Sequence, residues 1–260
     1  MRCSGKVIGV TGGASGIGLE TARQVLECGG AVAIFDLDVQ ELDRAKAGLA
    51  QYGDRVFAAV ADSADSGAMT RVIDQAVQTF GRVDGMVANA GIRMRSVPFT
   101  ELEESVWDEI IRVNLRGVFV TCRAAARHMI SAKAGSIVTI ASISGQVARL
   151  DQSAYCASKA GVIQLSRAMA LELAQYKIRV NVICPGTVNT SMFQKALLQD
   201  GEKIMHDRVY GSAMRFRSGI PLRQIAEPDD LASSILFFLS DDARHITGQT
   251  LFVDGGESII

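Results

Sequence analysis

Four residues have types and spacings suited to moving a proton on an alcohol. Tyr155 and Lys159 are four apart in Tyr155-Cys156-Ala157-Ser158-Lys159, a stretch of helical character, so both project from one face. A free tyrosine titrates near pH ~10 and is a poor base at neutrality. An ammonium held beside it favours the phenolate and lowers that value. Such a pair can take a hydroxyl proton while a hydride leaves the same carbon. Ser142 follows a strand-like run, at a sheet edge where it can hydrogen-bond a substrate oxygen. Asn114 sits inside a long helical segment, an awkward place for asparagine unless its amide bonds something. Taken singly, each is as readily an ordinary strand-end or helix polar residue.

A phosphate cradle precedes them. The run 6–11 reads as a strand and leads into Thr11-Gly12-Gly13-Ala14-Ser15-Gly16-Ile17-Gly18, which opens a helix. Glycines there allow a tight turn and close backbone approach, and the free N–H groups of the helix start face an anion. The next strand-like run ends at Asp36, at the offset of a carboxylate that accepts the adenosine ribose hydroxyls of a dinucleotide. A carboxylate there repels a 2′-phosphate, and neither the glycine loop nor Leu37-Asp38 carries Lys or Arg. NAD is therefore expected over NADP. Asp36 has the plainer alternative of a turn or N-cap residue. Asp62 is open between accepting from an adenine amino group and capping a helix.

These groups need a scaffold. Short apolar, β-branched runs at 6–11, 31–35, 56–59, 85–88, 135–141, 178–183 and 250–253 alternate with helix-period segments at 16–28, 40–50, 67–80, 103–130, 154–175 and 229–239. Strands apolar on both faces fit a parallel sheet covered by helices on both sides. The expected fold is an α/β, Rossmann-type, doubly wound parallel seven-stranded sheet forming a single domain over 1–260. The segment 189–219 breaks the rhythm, holding Met192, Phe193, Met205, Tyr210, Met214 and Phe216 among polar residues. It is expected to be an inserted substrate loop, or else a surface helical excursion.

With these motifs in place, the sequence resembles the short-chain dehydrogenase/reductase family over essentially its whole length. The matching motifs are T-G-x-x-x-G-x-G at Thr11–Gly18, N-A-G at Asn89–Gly91, and the set Asn114, Ser142, Tyr155 and Lys159. Pro185-Gly186 with residues 187–190, and Val253-Asp254-Gly255-Gly256, also match. The resemblance implies Tyr155 as acid/base, Ser142 positioning the substrate oxygen, Lys159 holding the nicotinamide ribose, and Asn114 supporting a proton relay. It implies cofactor contacts at Gly12, Ser15, Gly16, Ile17, Gly18, Asp36, Leu37, Asp62, Ser63, Asn89, Ala90, Gly91, Tyr155, Lys159, Pro185, Gly186, Val188 and Thr190. Val188 would donate its backbone N–H to the carboxamide. Homotetramers built on the segments 103–130 and 154–175 and on the last strand are the family's usual assembly.

A narrower resemblance, to 2,3-dihydro-2,3-dihydroxybenzoate dehydrogenases, rests on 216–222, Ile225-Ala226, His245-Ile246-Thr247 and Arg149. It implies a carboxylated substrate gripped by Arg149, with Met192 and Phe193 as further substrate contacts. Cys184-Pro185-Gly186-Thr187-Val188 resembles instead dehydrogenases of hydroxy acids and deoxy-sugar acids. A dinucleotide-sensing protein without turnover would share the fold but have no need of the four polar residues together. An NADP reductase of acyl-carrier-protein thioesters is disfavoured by Asp36.

Composition excludes other classes. The 260 residues carry 27 Lys+Arg against 28 Asp+Glu, a net charge of −1, so neither nucleic acid nor an anionic membrane surface is an expected partner. No apolar run reaches the ~18 residues of a spanning helix, and the N-terminus lacks the apolar stretch of a signal peptide. Five scattered cysteines without a C-x-x-C pair fit a reducing compartment, the cytoplasm, and give no metal site. The expected partner is a small alcohol or ketone.

Overall fold

The computed structural model describes residues 3–200 and 203–259. Its strands are β1 (Val7–Thr11), β2 (Ala31–Asp36), β3 (Val56–Val60), β4 (Gly85–Ala88), β5 (Gly135–Ile140), β6 (Ile178–Pro185) and β7 (Thr250–Val253). They form one sheet in the order β3-β2-β1-β4-β5-β6-β7, every pair parallel. The chain winds outward from β1 in one direction and then from β4 in the other, so β1 and β4 flank the switch point.

The strands are hydrophobic on both faces because both faces are covered. β1 is buried at all five positions. On one side α1 (Gly16–Glu27), α2 (Val39–Gly48) and α9 (Pro228–Leu239) press Val25, Leu26, Leu42, Leu231 and Ile235 against Ile8, Val10, Val32 and Ile34. On the other, α3 (Ser66–Phe80), α5 (Gly117–Ala132) and α6 (Ser153–Leu173) present Met69, Ile73, Met129 and Val162 to Phe35, Met86 and Ile137. Each such side chain contributes roughly 1.5–3 kcal/mol by leaving water. Local chemistry sets the helix boundaries. The Asp38 carboxylate accepts from the Gln40 and Glu41 N–H groups at the start of α2. Asp65 does so for Ala68 at the start of α3, which Gly81 ends in the left-handed region at φ 77°.

The structure departs from the sequence pattern in two places. The helix expected over 103–130 is α4 (Glu104–Ile111), a π turn (Arg112–Arg116) and α5 in succession. The strand expected over 178–183 runs on to Pro185, whose missing N–H is tolerated at the strand end. The insertion 189–219, open between a loop and a helical excursion, is largely helical, containing α7 (Ser191–Asp200) and α8 (Lys203–Tyr210), with residues 201 and 202 outside the described residues. No helix of the described residues is long and apolar enough to cross a membrane.

Candidate active site

A cleft of about 910 Å³ opens along the carboxyl ends of β1, β2, β4, β5 and β6, spanning the switch point. Gly12, Gly16 and Gly18 shape one end. Gly12 and Gly16 have φ of 61° and 52°, a region that favours glycine. A Cβ on Gly18 would overlap the Gly12 carbonyl. Ser15, the residue before α1, makes no capping bond. No side chain therefore closes the first turn of α1, whose N–H groups have no partner within the helix. Asn89 braces the loop from β4, donating from Nδ2 to the Thr11 and Gly12 carbonyls at 3.0 Å each. The buried Thr11 hydroxyl accepts from the Asn89 and Ala90 N–H groups at 3.1 and 3.2 Å. That supporting role of Thr11 is an addition to the residues singled out from sequence, although it opens the glycine motif.

Asp36 stands at the end of β2 on the cleft wall beside the exposed Leu37. Its Oδ2 accepts from the Ala14 N–H at 3.1 Å and its Oδ1 from the Asp38 N–H at 3.2 Å. Asp38 is the N-cap of α2, which removes the capping alternative for Asp36. The cap of α3 is likewise Asp65, not Asp62. Asp62 lines the cleft next to Ser63, its Oδ1 accepting from the Ala64 N–H at 2.8 Å and its Oδ2 paired with Arg112 at 2.7 Å. Pro185, Gly186, Thr187, Val188 and Thr190 continue the lining from the β6 end. The Thr187 hydroxyl is buried without a hydrogen-bond partner among the described residues. Ile17, Ala90 and Gly91 complete this region, and a Cβ on Gly91 would lie 3.2 Å from the Asn114 Oδ1.

The middle of the cleft holds Tyr155, Ser142 and Lys159. One helical turn of α6 separates Tyr155 and Lys159, and the Lys159 Nζ lies 5.8 Å from the phenol ring centre. Lys159 is buried and donates to the Ile140 carbonyl at 2.9 Å. Burial pushes its ammonium down to about 8. Ser142 begins the turn after β5, its Oγ accepting from the Ser144 N–H at 3.1 Å. Burial pushes the Tyr155 phenol above its usual value, opposed first by the nearby Ser142 hydroxyl and then by the Arg208 guanidinium. From sequence that opposing cation was expected to be Lys159. Lys159 lies one turn along α6 with its Nζ 5.8 Å from the ring centre, and Arg208 of α8, in the insertion, adds a second positive charge toward the phenol.

Asn114 occupies the π turn, fully buried. Its Oδ1 accepts from the Ile92 N–H at 2.8 Å, and its Nδ2 donates to the Ile92 carbonyl at 2.9 Å. The amide thus clips the helix to the loop after β4, the partnership that its position in a helix demanded.

Arg149, Met192 and Phe193 also line the cleft, beyond Tyr155. Arg149 differs from the expectation of a free fork for a substrate carboxylate. It is nearly buried, and its Nη2 pairs at 2.7 Å with Oε1 of Glu257. The same oxygen takes Arg217 Nη1 at 3.0 Å. Glu257 was not among the sequence candidates. Its only signal is an acidic residue directly after a glycine pair at the chain end. Arg208 has none beyond a cation in an apolar insertion. Among the described residues no group of three or more His, Cys, Asp or Glu side chains is arranged to hold a metal.

A doubly wound parallel sheet with a glycine loop at its switch point defines a Rossmann-type protein. Comparison narrows this. A family model described as enoyl-(acyl carrier protein) reductase matches residues 12–258. A (hydroxy(phenyl)methyl)succinyl-CoA dehydrogenase subunit of Thauera aromatica is 36% identical over 100% of this chain and 99% of its own. The 2,3-dihydro-2,3-dihydroxybenzoate dehydrogenase of Bacillus subtilis is 35% identical over 98% of this chain and 97% of its own. Among solved structures, an NAD+-bound xylitol dehydrogenase superposes with a TM-score of 0.88 at 28% identity, covering 98% of this chain and 100% of that one. The chain belongs to the short-chain dehydrogenase/reductase family, and is an oxidoreductase acting on CH–OH groups.

Proposed function

We propose that the chain, as one domain with 189–219 as its substrate loop, is an NAD-dependent dehydrogenase interconverting a secondary alcohol and its ketone. The observation that carries this reading is the convergence of the Tyr155 phenol, Ser142 hydroxyl and Lys159 ammonium in the cleft that the glycine loop enters. Ser142 hydrogen-bonds the substrate oxygen and Tyr155 takes its proton. Lys159 holds the nicotinamide ribose and favours the phenolate, and Asn114 supports the proton relay by fixing the π turn. Bound NAD supplies the nicotinamide carbon that accepts or returns the hydride. Three features fit a dinucleotide: the glycine cradle, the unpartnered Thr187 hydroxyl and the Asp36 carboxylate. Gly12, Ser15, Gly16, Ile17 and Gly18 would hold the pyrophosphate, and Asp36 with Leu37 the adenosine ribose. Asp62 and Ser63 would meet the adenine, while Asn89, Ala90, Gly91, Pro185, Gly186, Val188 and Thr190 flank the nicotinamide half.

NAD is favoured over NADP because Asp36 would repel a 2′-phosphate and residues 12–18 carry no Lys or Arg. The same reasoning weighs against a reductase of acyl-carrier-protein thioesters, despite the description of the matching family model. The substrate is an acidic or polyhydroxylated cyclic alcohol such as 2,3-dihydro-2,3-dihydroxybenzoate, contacted by Met192, Phe193 and the Arg149 region. The name of the Bacillus subtilis relative supports this. A hydroxy-acid or deoxy-sugar-acid dehydrogenase is the second reading, supported by the run 184–188. We further infer a homotetramer, in keeping with exposed Phe119 on α5, Leu171 on α6 and Leu251 on the edge strand β7. Five free cysteines fit the cytoplasm.

The test is reduction of NAD and of NADP with cyclic diols, hydroxy acids and sugar alcohols. Turnover with NAD is expected. Turnover with NADP alone would overturn the reading of Asp36, and no turnover with any alcohol would overturn the dehydrogenase.

A further inference from the structure

On the cleft wall beyond Tyr155, the ion pairs among the described residues leave one guanidinium unmatched. Arg149, Arg208 and Arg217 all line it, and the fully buried Glu257 lies among them. Glu257 is held by the turn after β7, where the Asp254 carboxylate accepts from the Gly256 and Ser258 N–H groups at 3.0 and 2.8 Å. Its Oε1 receives both Arg149 and Arg217, while its Oε2 and the Arg149 Nε have no hydrogen-bond partner among the described residues. Arg208 is different. Among the described residues its guanidinium has neither a hydrogen-bond nor an ion-pair partner, although it is half-buried and close enough to Tyr155 to favour the phenolate.

One carboxylate thus pairs with two of these guanidiniums and reaches Arg208 only through its charge. Burial pushes Arg208 and Arg217 below their usual values, and Glu257 only partly offsets their crowding. Asp207, which also lines the cleft, is set toward His206 at 4.0 Å. Guanidinium stays charged in proteins, so relief must come from an anion rather than from deprotonation. Its planar fork matches a carboxylate, and charge-assisted bonds of this kind are strong in a sheltered site.

We propose that Arg208 is the docking point for a carboxylate carried by the alcohol substrate, within a cationic wall whose Arg149 and Arg217 are fixed by Glu257. The protein then acts on hydroxy acids in preference to neutral alcohols. The proposal rests on the dehydrogenase reading above, but assigns the anion to Arg208 rather than to Arg149, whose Nη2 already serves Glu257. Tyr155 and Arg208 line the same cleft and the Arg208 charge acts on the phenol, so an acid docked there lies within the cleft that holds the proton acceptor.

Two measurements test it on the full chain saturated with NAD. In the first, titration calorimetry compares benzoate with its neutral analogue benzamide. Benzoate is expected to bind about ten- to hundredfold more tightly, the range of one hydrogen bond to a charged group. Arg208→Gln should erase that difference and Arg208→Lys should keep part of it, with NAD affinity unchanged in both as the check on folding. Equal binding of benzoate and benzamide to the wild type would overturn the proposal. So would a benzoate preference that survives Arg208→Gln. The second measurement compares oxidation of cis-4-hydroxycyclohexanecarboxylate with that of its carboxamide. Faster turnover of the acid, lost in Arg208→Gln through KM, is expected. Equal turnover would overturn the anion site while leaving the dehydrogenase intact. A benzoate preference without oxidation of any alcohol would uphold the anion site and contradict the dehydrogenase.

Discussion

Lys159 combines a full charge with a nearly dry position. Its ammonium donates to the Ile140 carbonyl and sits over the Tyr155 ring, but burial lowers its pKa from 10.5 to about 8. The consequence for stability has a definite sign. Between pH ~8 and ~10.5 the unfolded chain binds the proton that the folded chain has released, so the stability of the cofactor-free protein rises with pH across that window. Below pH ~8 both states are protonated and the full burial cost remains, on the order of 3 kcal/mol. Lys159→Met should therefore stabilise the cofactor-free protein at pH 7 and flatten that rise, as read by urea unfolding at several pH values. An unchanged pH dependence would remove the account of Lys159. The i,i+4 spacing of Tyr155 and Lys159 was readable in the sequence because helical geometry alone puts them on one face. The influence of Arg208 was not, because it depends on how α8 folds over the cleft, more than fifty residues from Tyr155.

The π turn shows what periodicity does and does not reveal. A single helix over 103–130 fits the apolar pattern, and the turn at 112–116 leaves that pattern nearly intact while changing where Asn114 points. The asparagine itself was the clue, since an amide in a helix interior asks for a partner. The partner, both backbone groups of Ile92, lay in a loop that no local rule specifies. Asn114→Ala leaves those two groups unsatisfied and is expected to cost about 2 kcal/mol. It should also slow turnover while sparing NAD affinity, measurable by chemical unfolding and by kcat. A loss of NAD affinity without a loss of stability would contradict the clip. The insertion 189–219 was legible as a break in rhythm but not as two helices, because its apolar residues are divided between cleft and solvent. Phe193 and Val209 face inward, whereas Leu198, Met214 and Phe216 are over 80% exposed.

β–α alternation and right-handed crossovers made a doubly wound, seven-stranded parallel sheet readable in the sequence, whereas its order, with the reversal between β1 and β4, is a long-range outcome that no local signal marks. Its edges carry less information. Glu257 reaches Arg149 across more than one hundred residues, a contact that sequence spacing cannot encode. For the tetramer proposed above, light scattering is expected to give four times the 27.8 kDa chain mass. A monomer mass would contradict the tetramer. The most direct check on the central claim is NADH formation from a secondary alcohol by the wild type and by Tyr155→Phe, with NAD affinity measured in parallel. Wild-type oxidation should rise with pH as the phenol ionises, and Tyr155→Phe should lose at least about a hundredfold in kcat while binding NAD normally. Equal rates in the two proteins would mean that the proton leaves by another route.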